Sequence, residues 1–279
     1  MTREVHQCAG TIPAGRYAVH ADPEIPAQLV SRLLADPSFP LSETNARIVK
    51  NGDTTLVVRA EWPIDGRLLP VAYKCVRRLT WLKRLTQAVG TNRTWRTWCG
   101  GKRLEELGIP TARPLLIVLP GRWNWRWPSW IANEWLDDAR DVGGLVREHG
   151  RAGSEVRLDE LARLLGDALG RLHRAGGTHR DLKPENVMAC LAGTKKSAGV
   201  WLIDLDGLRF RRRVSRRRRW RDLSRLAVGI DEAGGVRGTL RLRFLRAYLK
   251  AFGEGDWKSD WRALQRATQR RAAKRAQKN

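Results

Sequence analysis

Apolar and polar positions change their period several times along the chain, and each change predicts an element. Two β-rich runs, within ARIVKNGDTTLVVRAEW (46 to 62), flank Asn51-Gly52, a dipeptide favoured in tight hairpin turns because both residues tolerate positive φ. A third run, LLPVAYKCVRR, follows a turn at Asp65-Gly66, so three antiparallel strands are expected in succession. A helix is predicted over 92 to 107, stopped by Gly108 and Pro110, and two strands follow at 114 to 120 and 129 to 136. In RLDELARLLGDALGRLHRAG (157 to 176), Leu158, Leu161, Leu165, Leu169 and Leu172 fall on one face at helical spacing, before Gly176-Gly177. A short buried strand is expected at VWLIDLD (200 to 206), then helices at about 222 to 229, 239 to 252 and from 256 onward.

The first 45 residues carry Pro13, Pro23, Pro26, Pro37 and Pro40, too closely spaced for a long helix. They read as an irregular lead-in with a short helix at 27 to 35. The expected organisation is therefore this lead-in (1–45), a strand-rich N-lobe (46–136) and a mainly helical C-lobe with a basic C-terminus (137–279). The fold class is α+β.

Composition sharpens this picture in three ways. The 279 residues suffice for two lobes with separate cores, and 42% apolar residues place the chain among folding sequences despite its charge. The formal net charge is +24, and from Gly207 onward 23 Lys and Arg face 6 Asp and Glu, which implies an anionic partner: nucleic acid, an acidic membrane surface or a phosphorylated substrate. Four cysteines without a C-x-x-C pair argue against a zinc site or disulfide framework and suit a reducing compartment. With neither an export signal nor an apolar run of roughly 18 residues, the expected location is cytoplasmic, or peripheral on the cytoplasmic face of a membrane.

The sharpest chemical signal is HRDLKPEN at 179 to 186, followed by IDLD at 203 to 206. Phosphoryl transfer asks a protein to position a hydroxyl, neutralise the transferring phosphate and hold a metal. Asp181 suits the acceptance of the hydroxyl's proton, and Lys183 places a cation on the phosphate. Asn186 and Asp204 offer oxygen ligands to Mg²⁺, a hard cation. An isolated HRD triplet is common by chance, and Asp with Asn in a loop usually marks a turn. Eight contiguous matches, with a second acid at the end of a strand, outweigh that.

Upstream, VAYK (71 to 74) makes Lys74 the candidate partner of the α and β phosphates of ATP, although a lone strand lysine is more often a solvated edge charge. The Asn51-Gly52 hairpin has one glycine where a phosphate-covering loop commonly has three. Glu134 falls where a hinge would meet adenine through backbone groups.

These residues resemble the lipopolysaccharide core kinase family, the bacterial Kdo and heptose kinases. The resemblance runs from about Ala46 to Phe252 and includes NRTWRTW, KRLEELGIPTARPL, LHRAGGTHRDLKPENV, VWLIDLDGLRF, RDLSRLA and RFLRAYL. It implies a bilobal protein-kinase-like fold and ATP- and Mg²⁺-dependent transfer to a sugar hydroxyl of the inner core, an anionic glycolipid. Two departures stand out: Asp204-Leu205-Asp206 replaces D-F-G, which adds Asp206 as a further candidate near metal or substrate, and the helix expected to supply a glutamate to Lys74 has Thr97 near its middle. The stretch after Asp206 is basic and has no A-P-E, which disfavours a protein acceptor. The arginine run 211 to 221 suits phosphate, because guanidinium binds it bidentately. The rivals are a small-molecule or protein kinase of this fold, and a catalytically impaired basic binding protein; nucleic acid is the less favoured partner.

Overall fold

The computed structural model describes residues 12–14, 17–77, 93–121, 128–151, 155–191 and 198–277. It divides into two compact units, one of residues 1–102 and 112–135, the other of 103–111 and 136–279.

The first unit is a seven-stranded antiparallel sheet in the order β1-β2-β6-β7-β5-β4-β3. Its strands are β1 (Ile12–Ala14), β2 (Tyr17–Ala21), β3 (Arg47–Asn51), β4 (Thr55–Ile64), β5 (Arg67–Val76), β6 (Pro114–Pro120) and β7 (Ser129–Glu134). The β4–β5 hairpin turns at Asp65 and Gly66, both at positive φ, as its two-residue loop requires. Alternate residues Val58, Ala60 and Trp62 on β4, and Val71, Tyr73 and Cys75 on β5, are buried. Helix α1 (Ala27–Ala35) adds Val30 and Leu33 to the same core. The Tyr73 hydroxyl donates to the carbonyl of Pro37 at 2.8 Å and ties the connection after α1 to the sheet.

The lead-in is more ordered than its prolines suggest. Tyr17 and Val19 are buried at period two, and β2 pairs with β6 along five residues. Pro13 sits in the edge strand β1, where a missing N–H is tolerated. Residues 122–127, rich in Trp and Arg, lie outside the described residues; Trp130, just after them, is buried and meets Tyr17 edge to face at 5.4 Å.

Helix α2 (Arg93–Glu106) begins in this unit. Its Trp98 packs on Ile117 and Ile131, and Thr94 shares a 2.6 Å hydrogen bond with the hydroxyl of Ser129.

The second unit is mainly helical, with α3 (Val142–Arg151), α4 (Glu155–Arg174), α5 (Arg216–Glu232), α6 (Gly238–Phe252) and α7 (Trp257–Ala276). It also holds β8 (Arg140–Asp141), β10 (Val187–Cys190) and β11 (Gly199–Leu202) in one small sheet, and β9 (Gly177–His179) with β12 (Leu208–Phe210) in another. Its core is built on the leucine face of α4. Helix α4 presses on α6 through Gly166 and Gly170, one turn apart. A Cβ at Gly166 would lie 2.5 Å from the carbonyl oxygen of Phe244, and one at Gly170 would lie 2.5 Å from that of Tyr248. Only glycine permits this approach.

Helix α5 starts at Arg216, six residues earlier than its apolar pattern predicts. The arginines there have tertiary partners: Arg216 donates to the nearly buried Asp260 at 2.7 Å, and Arg219 lies over the Phe252 ring at 4.0 Å. Arg216 and Arg219 are thus part of the fold rather than of a solvated tract. At the start of α7 the Asp256 carboxylate accepts from the amides of Lys258 and Ser259, an N-cap. Among the described residues no helix is long and apolar enough to cross a membrane.

Candidate active site

The two motif segments of the second unit are bound together by their backbones. β9 and β12 pair His179 with Leu208, while β10 and β11 pair Val187 with Leu202. The loop 180–186 leaves one sheet and enters the other, and residues 203–207 do the same in reverse. The amide of Ile203 donates to the carbonyl of Asn186 at 3.0 Å, and the amide of Arg180 donates to the carbonyl of Gly207 at 3.0 Å. Gly207 lies flat against the loop: a Cβ there would come within 3.0 Å of the Asp181 amide nitrogen.

Within this frame Asn186, almost fully buried, donates from Nδ2 to the main-chain oxygen of Asp181 at 2.9 Å and to its Oδ2 at 3.3 Å. Asp181 is half exposed. Its Oδ1 accepts from Arg225 Nη1 of α5 at 3.0 Å, and Lys183 Nζ lies 3.9 Å from Oδ2. Asp204, two residues past the end of β11, lies in the left-handed region (φ 52°, ψ 58°), which costs a non-glycine residue roughly 1 kcal/mol and turns the chain sharply. Asp206 follows within the short 3₁₀ turn Leu205–Gly207.

Beneath the loop lies a buried anchor. Asp222 on α5 accepts the backbone amide of His179 at 2.9 Å on Oδ2 and the fork of Arg221 at 2.9 and 2.8 Å on Oδ1. Burial alone would raise its pKa, but the His173 ring 3.7 Å away and the hydrogen-bonded fork of Arg221 outweigh that and hold the carboxyl below the usual carboxylate range. His173, fully buried, shares a 2.8 Å hydrogen bond between Nδ1 and the Tyr248 hydroxyl. Burial pushes the imidazoles of His173 and His179 below 6.5; for His179 this is opposed by the charges of Asp204, Asp222 and Asp181.

The candidates of the first unit form a separate set. Lys74 on β5 stands opposite Ile131 and Val57, so its side chain shares the sheet face on which Ile131 meets Trp98 of α2. At Thr97 of that helix the hydroxyl bonds to the carbonyl of Arg93 at 3.1 Å; the acids of α2 are confined to its last two residues, Glu105 and Glu106. The β3–β4 hairpin forms, but Asn51 is the last residue of β3, neither Asn51 nor Gly52 is at positive φ, and the Gly52 amide donates to Thr55 O at 2.9 Å and closes the turn. A Cβ on Gly52 would find only that oxygen, at 3.7 Å, so no close approach within the loop demands glycine. At Glu134 the amide donates to the Arg113 carbonyl at 2.8 Å, and its carboxylate lies 3.5 Å from the Arg113 guanidinium.

The donor set fits Mg²⁺ better than a softer ion. Asn186 makes both of these hydrogen bonds through nitrogen, so its amide oxygen is the atom it could offer a metal, and Asp204 and Asp206 carry hard oxygen donors. Among the described residues no group of three or more His, Cys, Asp or Glu is placed to hold a metal alone. Mg²⁺ commonly takes one or two carboxylates and completes its shell from substrate phosphates and water, so the two requirements agree.

A strand-rich first unit, a helical second unit and a loop carrying aspartate, lysine and asparagine beside an aspartate just after a strand define a protein-kinase-like phosphotransferase. The sequence profile described as "Lipopolysaccharide kinase (Kdo/WaaP) family" matches residues 78–267, and the chain belongs to that family. Among solved structures it is similar to "WaaP in complex with acyl carrier protein", with a TM-score of 0.62 and 23% identity over 86% of this chain and 92% of that one. A comparison with curated proteins found no match. The chain is thus a kinase of a lipopolysaccharide kinase family, with an α+β fold like that of WaaP.

Proposed function

We propose that the protein transfers the γ-phosphate of ATP to a sugar hydroxyl of the lipopolysaccharide inner core, a Kdo or heptose residue. The observation that carries this reading is the joining of Asp181, Asn186 and Asp204 through the Asn186–Asp181 bonds and the Ile203–Asn186 bond. Asp181 receives the proton of the attacking hydroxyl at its carboxylate, while Arg225 and Asn186 fix the carboxylate's orientation. Lys183 offers its ammonium to the transferring phosphate. Asn186 and Asp204 hold Mg²⁺, with Asp206 as a further acid beside them. The metal, when bound, draws charge from the phosphate oxygens and aligns the nucleotide.

Lys74 contacts the α and β phosphates from β5. Glu134 marks the adenine end of the site, with its own amide engaged by Arg113, so the hinge contact falls to other backbone groups nearby. The Asn51-Gly52 hairpin covers the phosphates through groups other than the Gly52 amide. The protein works at the cytoplasmic face of the inner membrane as a peripheral enzyme, where the glycolipid acceptor is presented. Under this reading 46–136 is the N-lobe and 137–279 the C-lobe, and β1 and β2 of the lead-in pair within the N-lobe sheet.

The test is transfer of labelled γ-phosphate to purified inner-core lipopolysaccharide. Because the structural neighbour was solved with acyl carrier protein, the assay is run with and without that protein. Asp181→Ala is expected to lower the rate about 10³-fold while ATP binding persists. Transfer by Asp181→Ala at the normal rate would remove the assignment. Labelling of aminoglycoside or basic protein in place of the glycolipid would replace the acceptor.

A further inference from the structure

A basic groove of about 1080 Å³ lies within the second unit between α5 and α7. Asp181 and Lys183 line it, as do Lys274, Arg275 and Gln277 at the C-terminal end of α7. Nine Lys and Arg line it against three acids. Arg217, Arg266, Arg270 and Lys274 are exposed within it, and none forms an ion pair with a carboxylate among the described residues. Arg271 is held at the seam by neutral acceptors, the hydroxyl of Ser224 at 3.1 Å and the carbonyl of Arg221 at 3.3 Å. Burial and the neighbouring charges of Arg225 and Arg221 lower its proton affinity.

So many like charges gathered at a helix seam repel one another, and an anion that fills the groove relieves that repulsion. The volume lies at the upper end of the range that encloses a small ligand, and the surface is concave; a bilayer or a duplex would be met better by an open face. Guanidinium forks favour phosphate, which they bind in pairs of parallel hydrogen bonds. The presence of Asp181 in the lining decides what such an anion would accomplish: a ligand lying in the groove comes beside the candidate base.

We propose that the α5–α7 groove binds the acceptor through phosphate groups the glycolipid already carries, and so sets which hydroxyl reaches Asp181. The inference rests on the reading of Asp181 as the catalytic base and adds to it a binding site for the acceptor. In reaction order, a step that installs phosphate on the glycolipid then precedes this one.

The experiment compares inner-core lipopolysaccharide in mixed micelles with the same material stripped of phosphate monoesters by hydrofluoric acid. The test variant is Arg270→Glu/Lys274→Glu. The control is Lys250→Glu/Arg262→Glu, which changes the net charge equally at exposed positions outside the groove. The test variant is expected to raise KM for the intact glycolipid about tenfold, leave KM for ATP unchanged and abolish the preference for intact over stripped glycolipid. The control is expected to change none of these. An equal rise in both variants, or no rise in the first, overturns the proposal. Loss of binding to phosphatidylglycerol vesicles or to duplex DNA with an unchanged KM for the glycolipid also overturns it, in favour of a membrane or nucleic acid surface. If neither glycolipid is phosphorylated by the wild type, the kinase reading of the acceptor fails, and the groove is judged by binding alone: equal affinity for intact and stripped glycolipid rejects it, and a preference for the intact form that the test variant loses sustains it.

Discussion

Arg225 and Asp181 are joined by a 3.0 Å hydrogen bond although 44 residues separate them in sequence. The arginine comes from the third turn of α5 and reaches the carboxylate oxygen that Asn186 does not touch. The candidate base is therefore oriented from two sides, by an amide in its own loop and by a guanidinium from a distant helix.

Arg225→Ala should lower kcat by about 10- to 100-fold with little change in KM for ATP, because the arginine acts by positioning the base. Arg225→Lys should recover part of the loss. Steady-state kinetics on ATP and glycolipid read this split; an unchanged kcat would show that the bond is incidental.

Asp222→Ala removes a buried acceptor of the His179 amide and of the Arg221 fork. The expected loss is about 3 kcal/mol of stability, since a buried donor and a partly buried cation lose their partner together. Urea denaturation measures it, and Asp222→Asn should cost less because an amide oxygen can still accept.

Under the proposed function, Asn186→Ala should raise the Mg²⁺ concentration needed for half-maximal transfer about tenfold and lower kcat, because the side chain that braces the loop is also the proposed metal ligand. A magnesium titration at saturating ATP separates the two effects. An unchanged magnesium requirement would remove Asn186 from the metal's ligands.

Stability should fall as pH drops below about 6.5. His173 and His179 have folded pKa values below that of an unfolded imidazole, so the unfolded chain binds the extra protons and the native state loses its advantage as acid is added. Each group contributes a slope of at most about 1.4 kcal/mol per pH unit, and the contribution is complete above 6.5. The depressed Asp222 carboxyl adds its own loss only below about pH 4. Thermal unfolding from pH 7.5 to 5 reads the first window, and His173→Gln should flatten part of it.

Much of the fold was legible because local patterns agreed with tertiary demand. The β3–β4 hairpin, the leucine face of α4 and the stop at Gly108 all appear where the sequence places them. The site motif was legible for the same reason: Asp181, Asn186 and Asp204 lie on two contiguous segments. What escaped has a common cause. β2 is only five residues long, too short to display its period, and Arg225 and Asp222 gain their meaning from helix α5 lying under a loop more than forty residues earlier. The segment RDLSRLA was a visible signal, since it repeats an acid and two arginines at helical spacing, but its partners were not in the sequence nearby. The early start of α5 was hidden because charge runs usually solvate, whereas here Asp260 and Phe252 receive the arginines.

Gly166→Ala or Gly170→Ala should destabilise the protein by about 1–3 kcal/mol even though alanine is the better helix former by about 1 kcal/mol, because either Cβ meets backbone of α6. A stabilised variant would mean that the helices part easily.

That glycine seam links thermal behaviour to catalysis. Helix α4 runs directly into β9 and the Asp181 loop, and its His173 is fastened to Tyr248 of α6. Warming that loosens the two helices by a fraction of a side-chain width breaks this fastening before either helix unwinds. Inactivation would then precede the loss of helical circular dichroism.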